Sequence, residues 1–189
     1  MKTHFTYFTL FFFCSLSSIA QTDKIKSLFY NLPVESSGKN IYTSLRTDKR
    51  FTETTKSKVS KRENTFIGFC SDKGLIKAKP DSVMIELGYG KAKIPDSDSL
   101  VKTVVLRSKY FFTLLDSARN EYSRISAYLR PMARDSSESA FAEDDGSSGE
   151  GMFYNFSPDK NKIDDIEISI VYFVSGNFGL FITYTKRDE

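Results

Sequence analysis

Side chains that move protons near neutral pH are usually imidazoles, and this 189-residue chain has one histidine, His4. His4 lies in an N-terminal leader that is expected to be removed, so the mature chain is read as having none. That excludes Ser-His-Asp and Cys-His catalysis, histidine general bases and zinc sites built on imidazole. Cys14 shares the leader, which leaves Cys70 as the single thiol. Neither an intrachain disulfide nor a thiolate metal cluster can then form. Cys70 ends the apolar run Phe66-Ile67-Gly68-Phe69-Cys70 and is read as a buried, inert thiol. Carboxylates, lysines, tyrosines, arginines and hydroxyls are the groups left for chemistry.

The carboxylates fall into several sets. Glu143-Asp144-Asp145 with Glu150 is the densest, but its spacing matches no calcium loop. The run from Asp159 to Asp165 begins like a calcium loop, yet Ile163 occupies a ligand position and the central glycine is missing. Asp96 and Asp98 flank Ser97 in a third polar loop. All three are read as solvated turns, so no metal or cofactor is expected. Glu86 and Glu167 each sit within a strand-like segment, on the side away from its apolar face. Paired carboxylates of this kind are what a histidine-free glycosidase would need. The chain has no G-x-S-x-G elbow, Walker loop or dinucleotide fingerprint. The basic stretch from Lys56 to Arg62 has no interleaved aromatic, so it is read as a solvated loop and no nucleic-acid role is expected.

Lys2, the uncharged apolar run Phe5 to Leu16 and the small residues Ser18 and Ala20 together have the form of a secretory signal peptide. Cleavage is expected between Ala20 and Gln21. The apolar run closes short of the roughly 20 residues a spanning helix needs, so no transmembrane segment is expected after cleavage. The address predicted is exported, periplasmic or extracellular. Residues 21–189 suffice for a single domain with its own core. Charge is uneven along it. Residues 21–110 carry 18 Lys+Arg against 10 Asp+Glu, whereas residues 111–189 carry 8 against 14.

The segments that must position these groups read as α+β. Asp23 to Asn31 and Gly38 to Lys49 have helical spacing, with Ser36 or Ser37 as cap for the second. Thr52 to Asn64 is a loop or edge strand. Thr65 to Cys70, Ser82 to Gly90 and Val101 to Phe112 are strands; Val83, Ile85, Leu87 and Tyr89 share one face, and Val104, Leu106, Tyr110 and Phe112 share another. Thr113 to Arg130 is the strongest helix, its stripe being Leu114, Leu115, Ala118, Tyr122, Ile125 and Leu129, with Glu121 toward water. Asp135 to Gly151 is rich in Ser, Gly and acid and predicts a mobile acidic loop. Met152 to Phe156 is a strand. Ile166 to Val174 and Phe178 to Thr185 form a hairpin closed by Ser175-Gly176-Asn177, which would pair Val174 with Phe178 and Ile170 with Ile182.

Helices thus precede strands twice. This order predicts antiparallel β-sheet with packed helices and fits a duplicated α-β-β-β unit, although no residue-level repeat is visible. The order resembles the tandem helix-plus-sheet arrangement of β-lactamase inhibitory proteins and small outer-membrane assembly lipoproteins. Such a topological likeness carries no function. Tyr154, Phe156, Phe173 and Phe181 remain as candidates for a second apolar face, which would be an interaction surface if no helix covered it. The sequence therefore points to a non-catalytic binding or interaction module with an unknown protein partner. A carboxylate-dependent hydrolase of envelope or extracellular polymers is the alternative.

Overall fold

A computed structural model describes residues 21–54, 64–93, 99–157 and 164–188. The expected leader lies outside them, as do the basic stretch at 56–62, Asp96, Asp98 and most of the turn after Ser157. Among these residues, three helices and eight strands occur in the order α1 (residues 21–28), α2 (Gly38–Thr47), β1 (Phe51–Glu53), β2 (Phe66–Cys70), β3 (Ser82–Lys93), β4 (Leu100–Phe112), α3 (Leu115–Leu129), β5 (Asp135–Ala142), β6 (Ser148–Asn155), β7 (Asp164–Tyr172) and β8 (Phe178–Arg187). All eight strands form one antiparallel sheet in the order β1-β2-β3-β4-β8-β7-β6-β5. The α+β class holds in this form. Each half enters at an edge strand and walks inward, so β4 and β8 meet at the centre. Helix α3 carries the chain from central β4 out to edge strand β5.

Alternation dictates which face is covered. Ile85, Leu87, Leu106, Ile168, Leu180 and Ile182 all point to one side and are inaccessible or nearly so. On that side lie Leu28 at the end of α1 and Phe29 just after it, Ile41 and Leu45 of α2, and Ala118, Ile125 and Leu129 of α3. Cys70 belongs to the same core, where burial pushes its thiol pKa up. Glu121 is a correction to the helix pattern: it is buried, not solvated. Its carboxylate accepts the Lys77 and Ala78 N–H groups at 2.9 and 2.7 Å and pairs with Arg124 at 2.6 Å. Arg124 also donates to the Leu75 carbonyl at 2.6 Å, so α3 clasps the loop that precedes β3. No helix among the described residues is long and apolar enough to cross a membrane.

Two further readings are corrected. The segment expected to be a loop near 135–151 is an ordered hairpin, β5 and β6. The last hairpin also takes a different register: Tyr172 faces Phe178, Ile170 faces Leu180 and Ile168 faces Ile182. Its loop is Phe173 to Asn177, closed by the Phe173 N–H on the Asn177 carbonyl at 3.1 Å, with Gly176 at φ +82°. The shift of two residues leaves every side chain on its expected face, so pairing of apolar side chains does not distinguish the two registers. The turn does. A tight turn followed by a left-handed glycine is a favoured hairpin closure, and glycine adopts that conformation without steric cost. The β5–β6 turn repeats it: the Glu143 N–H meets the Ser147 carbonyl at 2.8 Å, and Gly146 has φ +81°.

Candidate functional site

The side of the sheet opposite the helices is not covered by any described helix or strand. Three transverse rows make up its centre. Glu86, Arg107, Thr183 and Glu167 form the first, on β3, β4, β8 and β7. Met84, Lys109, Phe181 and Ser169 form the second. Phe111, Gly179, Val171, Gly149 and Phe141 form the third and reach the β5 edge. The glycines of that third row leave backbone bare, and aromatic rings cover it. A Cβ on Gly179 would lie 2.7 Å from the Phe181 ring and 3.1 Å from that of Phe173. One on Gly149 would collide with the Phe141 ring and lie 2.6 Å from the Ile170 carbonyl. Phe111, Phe173 and Phe181 form a trio with centroids 5.9 to 6.2 Å apart.

Between this trio and Phe141 lies an open groove of about 480 Å³. Ser169, Val171 and Thr183 line it and are buried although they belong to the uncovered side. Arg107, Lys109 and Glu167 border it on the sheet, and Glu143 and Asp145 border it from the β5–β6 turn. The charges are held in place. Lys109 pairs with Glu86 at 2.5 Å and lies 5.2 Å from the centre of the Phe181 ring. Arg107 donates from Nε to the Thr183 hydroxyl at 2.9 Å and has Glu86 at 3.8 Å. Burial pushes the Glu167 pKa up, against the opposing pull of a Ser139 hydrogen bond at 3.3 Å and the Arg107 charge. Asp145 is pulled the other way, because the Ser147 hydroxyl and N–H both donate to it.

Glu86 and Glu167 do share a face and a row. They are three strands apart, about 14 Å at the usual strand spacing, with Arg107 and Thr183 between them. Paired-carboxylate hydrolysis works at roughly 5–10 Å. No group of three or more metal-ligating side chains occurs among the described residues.

The four aromatics singled out from the sequence are split by the sheet. Phe173 and Phe181 lie on the uncovered side. Tyr154 and Phe156 lie in the helix-covered core, where the Tyr154 hydroxyl reaches the Ser126 carbonyl at 3.5 Å. The reason is parity: Tyr154 pairs with Ile166, so it shares the core face, and Phe153 takes the other. No protein-family model, curated protein or solved structure matches this chain. The site therefore has to be read from its own geometry. Sequence reasoning overlooked Arg107, Lys109 and Phe111, although they are simply the complement of the Val104–Phe112 face already recognised. Phe141 was hidden by reading its segment as a loop.

Proposed function

We propose that the chain is a non-catalytic, exported binding module that engages a protein partner through the uncovered side of its sheet. One observation supports this above the others: an open groove with aromatic walls, a floor of buried side chains and fixed charges lies on a sheet face that no described element covers. Apolar surface gathered in a concave site with a few oriented polar groups is the general form of a binding site. The wide separation of Glu86 and Glu167 weighs against the hydrolase alternative. The signal-like leader supports a periplasmic or extracellular address. The mirror-like strand order supports reading the two halves as copies of one unit, although each half has four strands where the α-β-β-β reading expected three, and two helices precede the first set against one before the second. The test is capture from envelope extract with the processed protein, using Phe181→Ser with Arg107→Glu as the comparison. A specific partner should be retained by the parent and lost by the double variant, at a temperature where circular dichroism shows both proteins folded. Equal capture by both proteins would overturn the reading.

A further inference from the structure

The two edges of the sheet differ sharply. At one end β1 is three residues long; at the other β5 runs for eight, Asp135–Ala142, with no strand beyond it among the described residues. Long unpaired edges are templates for added strands, and proteins commonly blunt them with lysine, proline, bulges or a covering element. Between Asp135 and Ala142 there is no proline and no lysine, and its pairing with β6 runs unbroken from Asp135↔Asn155 to Ala142↔Ser148. Hydrogen-bond parity fixes which groups are available. The Glu143 N–H donates to the Ser147 carbonyl, so odd-numbered residues of β5 turn their backbone groups inward to β6. Those of Ser136, Glu138, Ala140 and Ala142 turn outward.

Charge selects the occupant. Residues 135–155 contain six carboxylates (Asp135, Glu138, Glu143, Asp144, Asp145 and Glu150) and neither lysine nor arginine; all six are exposed. A second copy pairing edge to edge would set this acidic hairpin against itself. We infer that the β5 edge accepts an extended peptide strand from a partner protein, one alternating basic and apolar residues. Its apolar side chains fall on the groove side, continuing the row that ends at Phe141. Its basic ones fall on the side of Glu138 and Glu150. The main chain supplies the hydrogen bonds and the alternation supplies the specificity. This edge is distinct from the groove floor, so the inference goes beyond the proposed function.

The probe is a synthetic seven-residue peptide alternating lysine and valine, with a glutamate-valine peptide as control, added to the full processed protein. Amide hydrogen exchange should slow at Ser136, Glu138, Ala140 and Ala142, and not at the odd positions between them. Binding should weaken with salt, and the acidic peptide should not bind. Ala140→Pro removes an outward N–H without touching the β6 ladder, so the protein should keep its fold and bind the basic peptide about tenfold more weakly. Exchange unchanged by the basic peptide would overturn the inference, as would equal binding of both peptides. So would a concentration-dependent dimer that Ala140→Pro abolishes, because the occupant would then be a second copy.

Discussion

Leu106, Ile168, Leu180 and Ile182 fill the helix-covered side of the central strands β4, β7 and β8; their immediate neighbours Arg107, Glu167, Phe181 and Thr183 occupy the other. The same backbone thus carries two surfaces built on different terms. The covered side is mainly hydrocarbon, stabilised by removal from water. The uncovered side mixes rings, hydroxyls and ion pairs, and keeps Ser169 and Thr183 buried without any described helix above them. Alternation alone could have produced a simple wet face here, as most antiparallel sheets have. Instead this face spends three phenylalanines on one another beside Gly179, which stability by itself does not require.

The sharpest way to break this contrast is to place one charge on each side. Ile182→Asp puts an unpaired carboxylate among Ser108, Ile168 and the helices, and should cost more than about 4 kcal/mol, abolishing the folded state. Phe181→Ala, one residue earlier, should cost only about 1–2 kcal/mol, less than the loss of a fully buried ring. Denaturant unfolding of both variants measures the gap. Comparable losses would mean that the two faces are equally core-like.

Glu121 is a buried carboxylate on the covered side. Glu121→Ala leaves the Lys77 and Ala78 N–H groups and the Arg124 guanidinium without their acceptor. A loss of about 3 kcal/mol is expected, read as a Tm drop of several degrees. Glu121→Gln, which keeps one acceptor oxygen, should fall between. A drop in neither variant would mean that the clasp between α3 and the loop before β3 contributes nothing.

How legible these features were depended on where each signal resides. The β3 and β4 faces were plain in the alternation of Val83, Ile85 and Leu87 and of Val104 and Leu106, because both strands are buried on one side only. The α3 stripe was plain from Ala118 through Ile125 to Leu129, but Leu114, expected on it, precedes the helix and is exposed, and Glu121 was not foreseen. A buried carboxylate is marked by the N–H groups it satisfies, and those come from a loop more than 40 residues earlier in the chain. The β5–β6 hairpin was missed because its information is not hydrophobic. It lies in the Asp145-Gly146-Ser147 turn and in glycines that let Phe141 settle onto bare backbone. The groove followed the hairpin: without β5 there is no Phe141 wall, and Glu86, Glu167, Phe173 and Phe181 look like isolated residues.

That glycine requirement gives a smaller, sharper test on the uncovered side. Gly149→Val drives a branched side chain into the Phe141 ring and against the Ile170 carbonyl, and should cost roughly 1–3 kcal/mol. Adding Phe141→Ala should recover part of this and no more, since the carbonyl remains. Full recovery would show that the ring alone dictates glycine, and no recovery that the backbone does. The double-mutant cycle, measured by denaturant unfolding, separates the two contributions.

The smallest effect decides whether the groove is desolvated. Burial raises the Glu167 pKa above its unfolded value, so the protonated carboxyl suits the folded state better than the charged one. The associated stability is fully present below the unfolded pKa, about 4.3 for a glutamate, and is lost as pH rises through the folded value. Glu167→Gln does not titrate and still offers Ser139 an oxygen. It should therefore be more stable than the parent at neutral pH, with the advantage disappearing as pH falls below the ordinary glutamate range. Asp165, whose pKa burial also raises, titrates in both proteins and cancels in the difference. Paired thermal melts across this range supply the measurement. A Gln variant less stable than the parent at neutral pH would mean that the Arg107 charge outweighs burial. The row from Glu86 to Glu167 would then be an ordinary solvated surface, and the contrast between the two faces would reduce to covered against wet.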